Sequence, residues 1–189
     1  MLSRKSRVVI NRSVSGARIS DISALVSDFY FENSNHAHKV DKIIVSLGTN
    51  EIKSFRPCPK NSVLKFYNPI IRLVDQIRTL FPRAQIIFQS LLPIRVIYTY
   101  TAFSVHSFNE MLLDICGRFN CVFLDCFRLF LNSEGSDINM DLYFDRRIHL
   151  NDKKGLPILC RALKNAIYGS VFNPMALNSV KPYYNYNYY

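Results

Sequence analysis

No apolar stretch in this chain approaches the roughly 18 residues that mark a membrane-spanning helix. The N-terminal stretch MLSRKSRVVINRS is basic, but its apolar run is only Val8-Val9-Ile10, too short for a signal-peptide core. Both absences lead us to expect an intracellular protein, cytoplasmic or nuclear, with no membrane partner. Cysteine is scarce and odd in number, at positions 58, 116, 121, 126 and 160. Without a secretion signal, that count argues against a disulfide framework. No Cys-x-x-Cys pair occurs. Cys116, Cys121 and Cys126 sit among Phe, Leu and Val, so they read as buried free thiols rather than metal ligands. Acidic residues are also short: 14 Asp and Glu stand against 24 Lys and Arg, for a net charge of +10. Such a balance suits an anionic partner such as RNA or DNA, although it bears on association and not on fold.

What is present is a chain of 189 residues, 49% hydrophobic, long enough for one domain with a sizeable core. No repeat or linker divides it. We expect a single domain over residues 1–170 and a Tyr/Asn-rich tail over 171–189, ending PYYNYNYY, that is low in complexity and disordered. Val8–Val14 reads as a first strand, stopped by Ser15-Gly16. Ile22, Leu25, Val26 and Phe29 follow at helical spacing up to about Tyr30. Lys42–Leu47 is a strand with a continuous apolar centre, the pattern of a parallel sheet covered on both faces. A Pro-containing loop over 53–60 precedes a helix capped by Asn61 and ending before Pro82. Ala84–Gln89 is the next strand, Phe108–Phe119 a helix, Cys121–Asp125 a strand, and 153–167 a last helix. Strands alternating with helices predict an α/β fold with a parallel sheet. Ligands in such folds sit beyond the carboxyl ends of the strands. Ser15-Gly16, Gly48-Thr49-Asn50 and Leu91-Leu92-Pro93 fall there, and His149 precedes the last helix.

The order of these stretches resembles the SGNH (GDSL-type) hydrolases, most nearly the esterase-like domains carried by some retrotransposons. The stretches are SGARISDI (15–22), IIVSLGTNEI (43–52), PRAQIIFQSLLP (82–93), FNEMLLDICGRFNCVFLD (108–125) and DRRIHLNDKKG (145–155). The resemblance implies a flavodoxin-like three-layer α/β sandwich with a parallel sheet. It also implies ester hydrolysis without metal or cofactor. Such hydrolysis passes through a tetrahedral oxyanion, where each fixed donor is worth about 3–4 kcal/mol. Carried over, the donors are the Gly16 N–H and the Asn50 amide. His149 would take the proton of a serine nucleophile, and a carboxylate would orient it. Each residue also has a structural alternative: a turn for Gly16, a helix cap for Asn50, a surface imidazole for His149.

Two departures from the family pattern shape the functional expectation. The carboxylate of the family stands three residues before the His, and Arg146 occupies that place here. Asp145 is one position out of register and reads more simply as a solvated loop charge, with Arg146 and Arg147 crowding the imidazole. The Gly-Asp-Ser block that carries the nucleophile is absent. Ser13 is the nearest substitute, but Gly16 follows it by only three residues, so Val8–Val14 aligns better with the second strand of the family than with the first. The first strand, central in that sheet, would then be missing, as in an N-terminally truncated reading frame. The expected function is therefore an esterase-like domain without competent catalysis. It would bind RNA or DNA through Arg12, Arg18, Lys53, Arg56, Arg146, Arg147, Lys153 and Lys154. The alternative is an active serine carboxylic-ester hydrolase, acting on a small ester, completed by upstream residues.

Overall fold

The computed structural model describes residues 8–53, 60–94, 99–145 and 148–169. Its centre is a parallel sheet of three strands: β1 (Lys42–Ser46), β2 (Gln85–Gln89) and β3 (Val122–Leu124), in the order β1-β2-β3. Lys42 lies opposite Gln85 and Ser46 opposite Gln89, and Ile87 lies opposite Val122. The helices are α1 (Ile19–Glu32), the short α2 (Thr49–Lys53), α3 (Tyr67–Leu80), α4 (Thr99–Arg118) and α5 (Gly155–Tyr168).

Alternation along the strands sorts side chains into two layers. Val45, Ile86, Phe88 and Phe123 face the main core, which they share with Ile19 of α1, Ile70, Leu73, Val74 and Ile77 of α3, and Phe108, Leu112 and Ile115 of α4. The four α3 residues recur at i, i+3, i+4 and i+7, the stripe by which an amphipathic helix buries one face. Phe81, just past that helix, stacks on Phe29 and meets Tyr30 edge-on. On the opposite face, Lys42, Gln85, Ile87, Val122 and Leu124 look across a groove of about 360 Å3 to Ile158, Ala162 and Ala166 of α5. Helices therefore cover both faces, the three-layer arrangement expected from the sequence.

The expected elements differ from the structure in three places. Val8–Val14 forms no strand: Val8, Val9, Ile10 and Val14 are all more than half exposed. A strand needs a neighbour for its backbone groups, and among the described residues β1 pairs only with β2. Helix α4 begins at Thr99 rather than at Phe108. Its aromatic and β-branched first turns read poorly as helix, but burial of Val105 and Phe108 overrides propensity. The residue at the cap of α3 is Phe66, because 60–66 winds as a 3-10 turn first. The tail 171–189 lies outside the described residues.

Candidate active site

The carboxyl end of β1 runs through Leu47 and Gly48 into α2. Gly48 has a φ of +103°, a region that L side chains rarely adopt. A Cβ there would lie 2.5 Å from the Phe108 ring. Glycine is thus required twice, once for the turn and once for the approach of α4. The turn sets Asn50 and Glu51 on the first turn of α2. Asn50 Nδ2 donates to the Ala17 carbonyl at 2.8 Å, and the Ile19 N–H donates to Glu51 Oε1 at 2.8 Å. Two neighbouring side chains of α2 therefore hold the segment that carries Gly16. Gly16 itself turns at a φ of +81° in open space. The Asn50 amide is thus held against the carbonyl that follows the Gly16 turn.

His149 lies on a loop assembled beyond the ends of β2 and β3. Ser90 Oγ accepts from the N–H groups of Cys126 and Phe127, both at 2.9 Å. Asn109 clasps Leu91 through both its N–H and its carbonyl. The Tyr143 hydroxyl donates to the Pro93 carbonyl at 2.7 Å, and burial pushes that phenol's pKa upward. Tyr143 then bridges to Leu150, and the Phe144 N–H donates to the His149 carbonyl at 2.7 Å. The loop is pinned to the strand end that precedes it.

Within the loop, Asp145 is not a solvated charge. Its Oδ1 accepts from the Ile148 and His149 N–H groups at 2.8 and 3.1 Å, and its Oδ2 lies 2.6 Å from His149 Nδ1. Four-residue spacing works because the carboxylate first caps the turn and so folds the imidazole back onto itself. With Nδ1–H held by the carboxylate, Nε2 is the basic nitrogen, and the imidazole side chain is 70% exposed.

The remaining expected residues are dispersed. The Ser13 hydroxyl donates to Asn11 Oδ1 at 2.6 Å on an exposed segment. Among the described residues, no serine hydroxyl is hydrogen-bonded to His149. Arg12 pairs with Glu32 and lies 5.5 Å over the Phe29 ring, so its charge is already engaged. Arg18 is exposed at the start of α1. Lys153 is exposed, and Lys154 approaches Asp141 at 3.8 Å. Lys53 ends α2, with its side chain outside the described part. Arg56, Arg146 and Arg147 lie outside the described residues. Cys116, Cys121 and Cys126 are buried free thiols, and Cys160 is exposed. Among the described residues no helix is long and apolar enough to cross a membrane. Sequence reading passed over Glu51, Ser90, Asn109 and Tyr143. Polar residues in or beside apolar runs were the available signal.

Comparison with known proteins agrees with the fold. The GDSL-like lipase/acylhydrolase family model matches residues 1–153. No curated protein matches. Among solved structures, the chain is similar to an acetylxylan esterase from Geobacillus stearothermophilus, at 20% identity and a TM-score of 0.63, over 85% of this chain and 72% of that one. It is similar also to a GDSL-like lipase from Bacteroides thetaiotaomicron, at 16% identity and a TM-score of 0.61, over 84% of this chain and 74% of that one. The family match spans β1, β2 and β3 together with the Asn50 and His149 segments, and the chain belongs to the GDSL-like lipase/acylhydrolase family.

Proposed function

We propose that this chain carries the base and oxyanion-stabilising half of an acyl-ester hydrolase site, without the Gly-Asp-Ser serine that would make it turn over. The observation that supports the first part is the 2.6 Å contact between Asp145 Oδ2 and His149 Nδ1. It gives the imidazole the tautomer that a general base needs. Gly16 and Asn50 take the oxyanion role. In this reading, His149 Nε2 would accept a hydroxyl proton while the new oxyanion meets the Gly16 N–H and the Asn50 amide. The test is hydrolysis of p-nitrophenyl acetate by the chain and by His149→Ala. Equal, background rates support the reading. Turnover that His149→Ala abolishes refutes it and directs attention to a serine of this chain.

A second reading, an active ester hydrolase, is favoured by the open edge of β1, which among the described residues pairs only with β2. A parallel strand added there and ending in Gly-Asp-Ser would place a serine at the carboxyl end of the sheet. Fusing such a segment upstream should create ester turnover that depends on His149. If turnover stays at background in a folded fusion, this reading falls.

Association with RNA or DNA is the accompanying proposal, supported by the net charge of +10 and by the exposed Arg18 and Lys153. Its signature is affinity that falls steeply with salt and is indifferent to His149→Ala. Affinity that is flat between 50 and 200 mM salt counts against it.

A further inference from the structure

The outer edge of β1 has no strand beside it. Among the described residues β1 pairs only with β2, so alternate backbone N–H and C=O groups of β1 face outward unpaired. Its side chains show the same gap: Ile43 and Ile44 are half-buried, whereas Ile86 and Ile87 opposite them on β2 are buried. The path of α5 leads to this edge. Ile158 and Leu159, near the start of α5, pack on the cluster around Phe130, just past β3. At the other end, Lys42 Nζ, from the first residue of β1, donates to the Ala166 and Gly169 carbonyls at 2.7 and 3.2 Å. The helix therefore crosses the sheet from β3 to the start of β1, over the face opposite α3 and α4.

Handedness says where a strand after α5 belongs. The crossovers β1-α3-β2 and β2-α4-β3 use one face and step in one direction. Crossovers between parallel strands are right-handed in about 98% of cases, so one that uses the opposite face steps the other way. From β3, the first open place in that direction lies beyond β1. The chain supplies a segment for it. After Ser170 and Val171 comes Phe172-Asn173-Pro174-Met175-Ala176-Leu177, mostly apolar and ahead of the Tyr/Asn-rich end. Such a short connection is ordinary between a helix and a strand. Six extended residues span about 20 Å, enough to run the length of β1. Proline cannot donate, and in an edge strand its nitrogen faces away from the partner. That sets the phase: with Pro174 outward, Asn173, Met175 and Leu177 present their N–H groups to β1. We propose that Phe172–Leu177 adds to the open edge of β1 as a parallel strand, giving the order tail-β1-β2-β3. So short a tether holds the segment at a millimolar effective concentration, whereas a net charge of +10 opposes a second copy. The pairing does not depend on ester hydrolysis. A Gly-Asp-Ser strand supplied upstream would compete with the tail for the same edge.

Amide hydrogen exchange of the full chain, read residue by residue by NMR, tests the idea. The Asn173, Met175 and Leu177 N–H groups should exchange at least about 100-fold more slowly than in a free peptide, and those of Phe172 and Ala176 at near free-peptide rates. Met175→Pro removes a donor that faces β1, and should speed exchange of the outward-facing β1 amides at least about tenfold. Ala176→Pro removes a donor that faces solvent, and should leave those amides unchanged. Protection should be the same at about 10 and about 200 μM protein, as a tethered segment requires. Free-peptide rates across 172–177 overturn the proposal. So do equal effects of the two prolines. Protection that grows with protein concentration overturns it as well, and gives the edge to a second copy.

Discussion

Gly48→Ala is the substitution whose cost the geometry defines best. Two penalties are stacked at this residue. A φ of +103° lies outside the range that L residues adopt readily, and a held backbone outlier costs about 1–3 kcal/mol. The new methyl would lie 2.5 Å from two carbons of the Phe108 ring, which is fully buried and cannot swing into solvent. Overpacking of that kind costs about 1–3 kcal/mol more. We expect a loss of about 3–5 kcal/mol, a large part of the roughly 5–15 kcal/mol that holds a domain of this kind. Gly16→Ala is the control. It also has a positive φ, +81°, but open space where its Cβ would go, so only the backbone penalty applies, about 1–2 kcal/mol. Urea unfolding followed by far-ultraviolet circular dichroism reads both. With a slope of about 2 kcal/mol per molar, Gly48→Ala should lower the midpoint by about 1.5–2.5 M and Gly16→Ala by less than about 1 M. Placing Gly48→Ala in a Phe108→Leu background should recover about 1–2 kcal/mol of the combined cost, because the clash partner is then smaller. If Gly48→Ala costs no more than Gly16→Ala, the reasoning about the ring is wrong.

Other consequences can be measured as directly. Asp145→Asn keeps a carbonyl for the Ile148 and His149 N–H groups but turns a donor toward Nδ1. The imidazole should then change tautomer, which nitrogen NMR of His149 will show, at a stability cost of under about 1.5 kcal/mol. Tyr143→Phe leaves the Pro93 carbonyl without its 2.7 Å donor and should cost about 1–3 kcal/mol in the same urea assay. Burial, helped by the neighbouring Asp125, pushes the Cys126 thiol up to about 12 from an ordinary value of 9.0. Between those values the unfolded chain loses the proton and the folded chain keeps it. Stability should therefore be intact below pH 9 and fall by about 1.4 kcal/mol per pH unit above it on account of this thiol alone, an effect absent from Cys126→Ala. In a Cys58→Ser background, native protein at pH 8 should label rapidly with a thiol reagent only at Cys160, the exposed one among the described cysteines.

The sheet was legible because its strands obey a simple rule: continuous apolar runs such as Lys42–Leu47 and Ala84–Gln89 can only be buried on both faces. The α3 stripe was legible for the same reason at a different period. Val8–Val14 looks equally strand-like, yet strand formation is a property of pairs, and nothing in the seven residues reports whether a neighbour exists. Helix α4 shows the converse, where Val105 and Phe108 buy a helical start that local propensity opposes. At the candidate site, Asn50 was singled out because a Gly-x-Asn after a buried strand is a short-range pattern. Glu51 beside it was not, because its partner, Ile19, lies 32 residues away. Asp145 is the most instructive case. Counting positions put it out of register with His149, but register is fixed by where the backbone turns. A carboxylate that accepts two N–H groups of its own loop makes the turn that closes the gap, so one side chain both shapes the loop and meets the imidazole. The electrostatic argument against the pair also rested on Arg146 and Arg147, whose side-chain directions no sequence states. The structure leaves a chemical mismatch: His149 Nδ1 is held by Asp145, with no serine hydroxyl hydrogen-bonded to the imidazole among the described residues. That mismatch decides which experiments matter. Those on Gly48, Asp145 and Tyr143 ask whether the site is built, and those on ester turnover ask whether it is used.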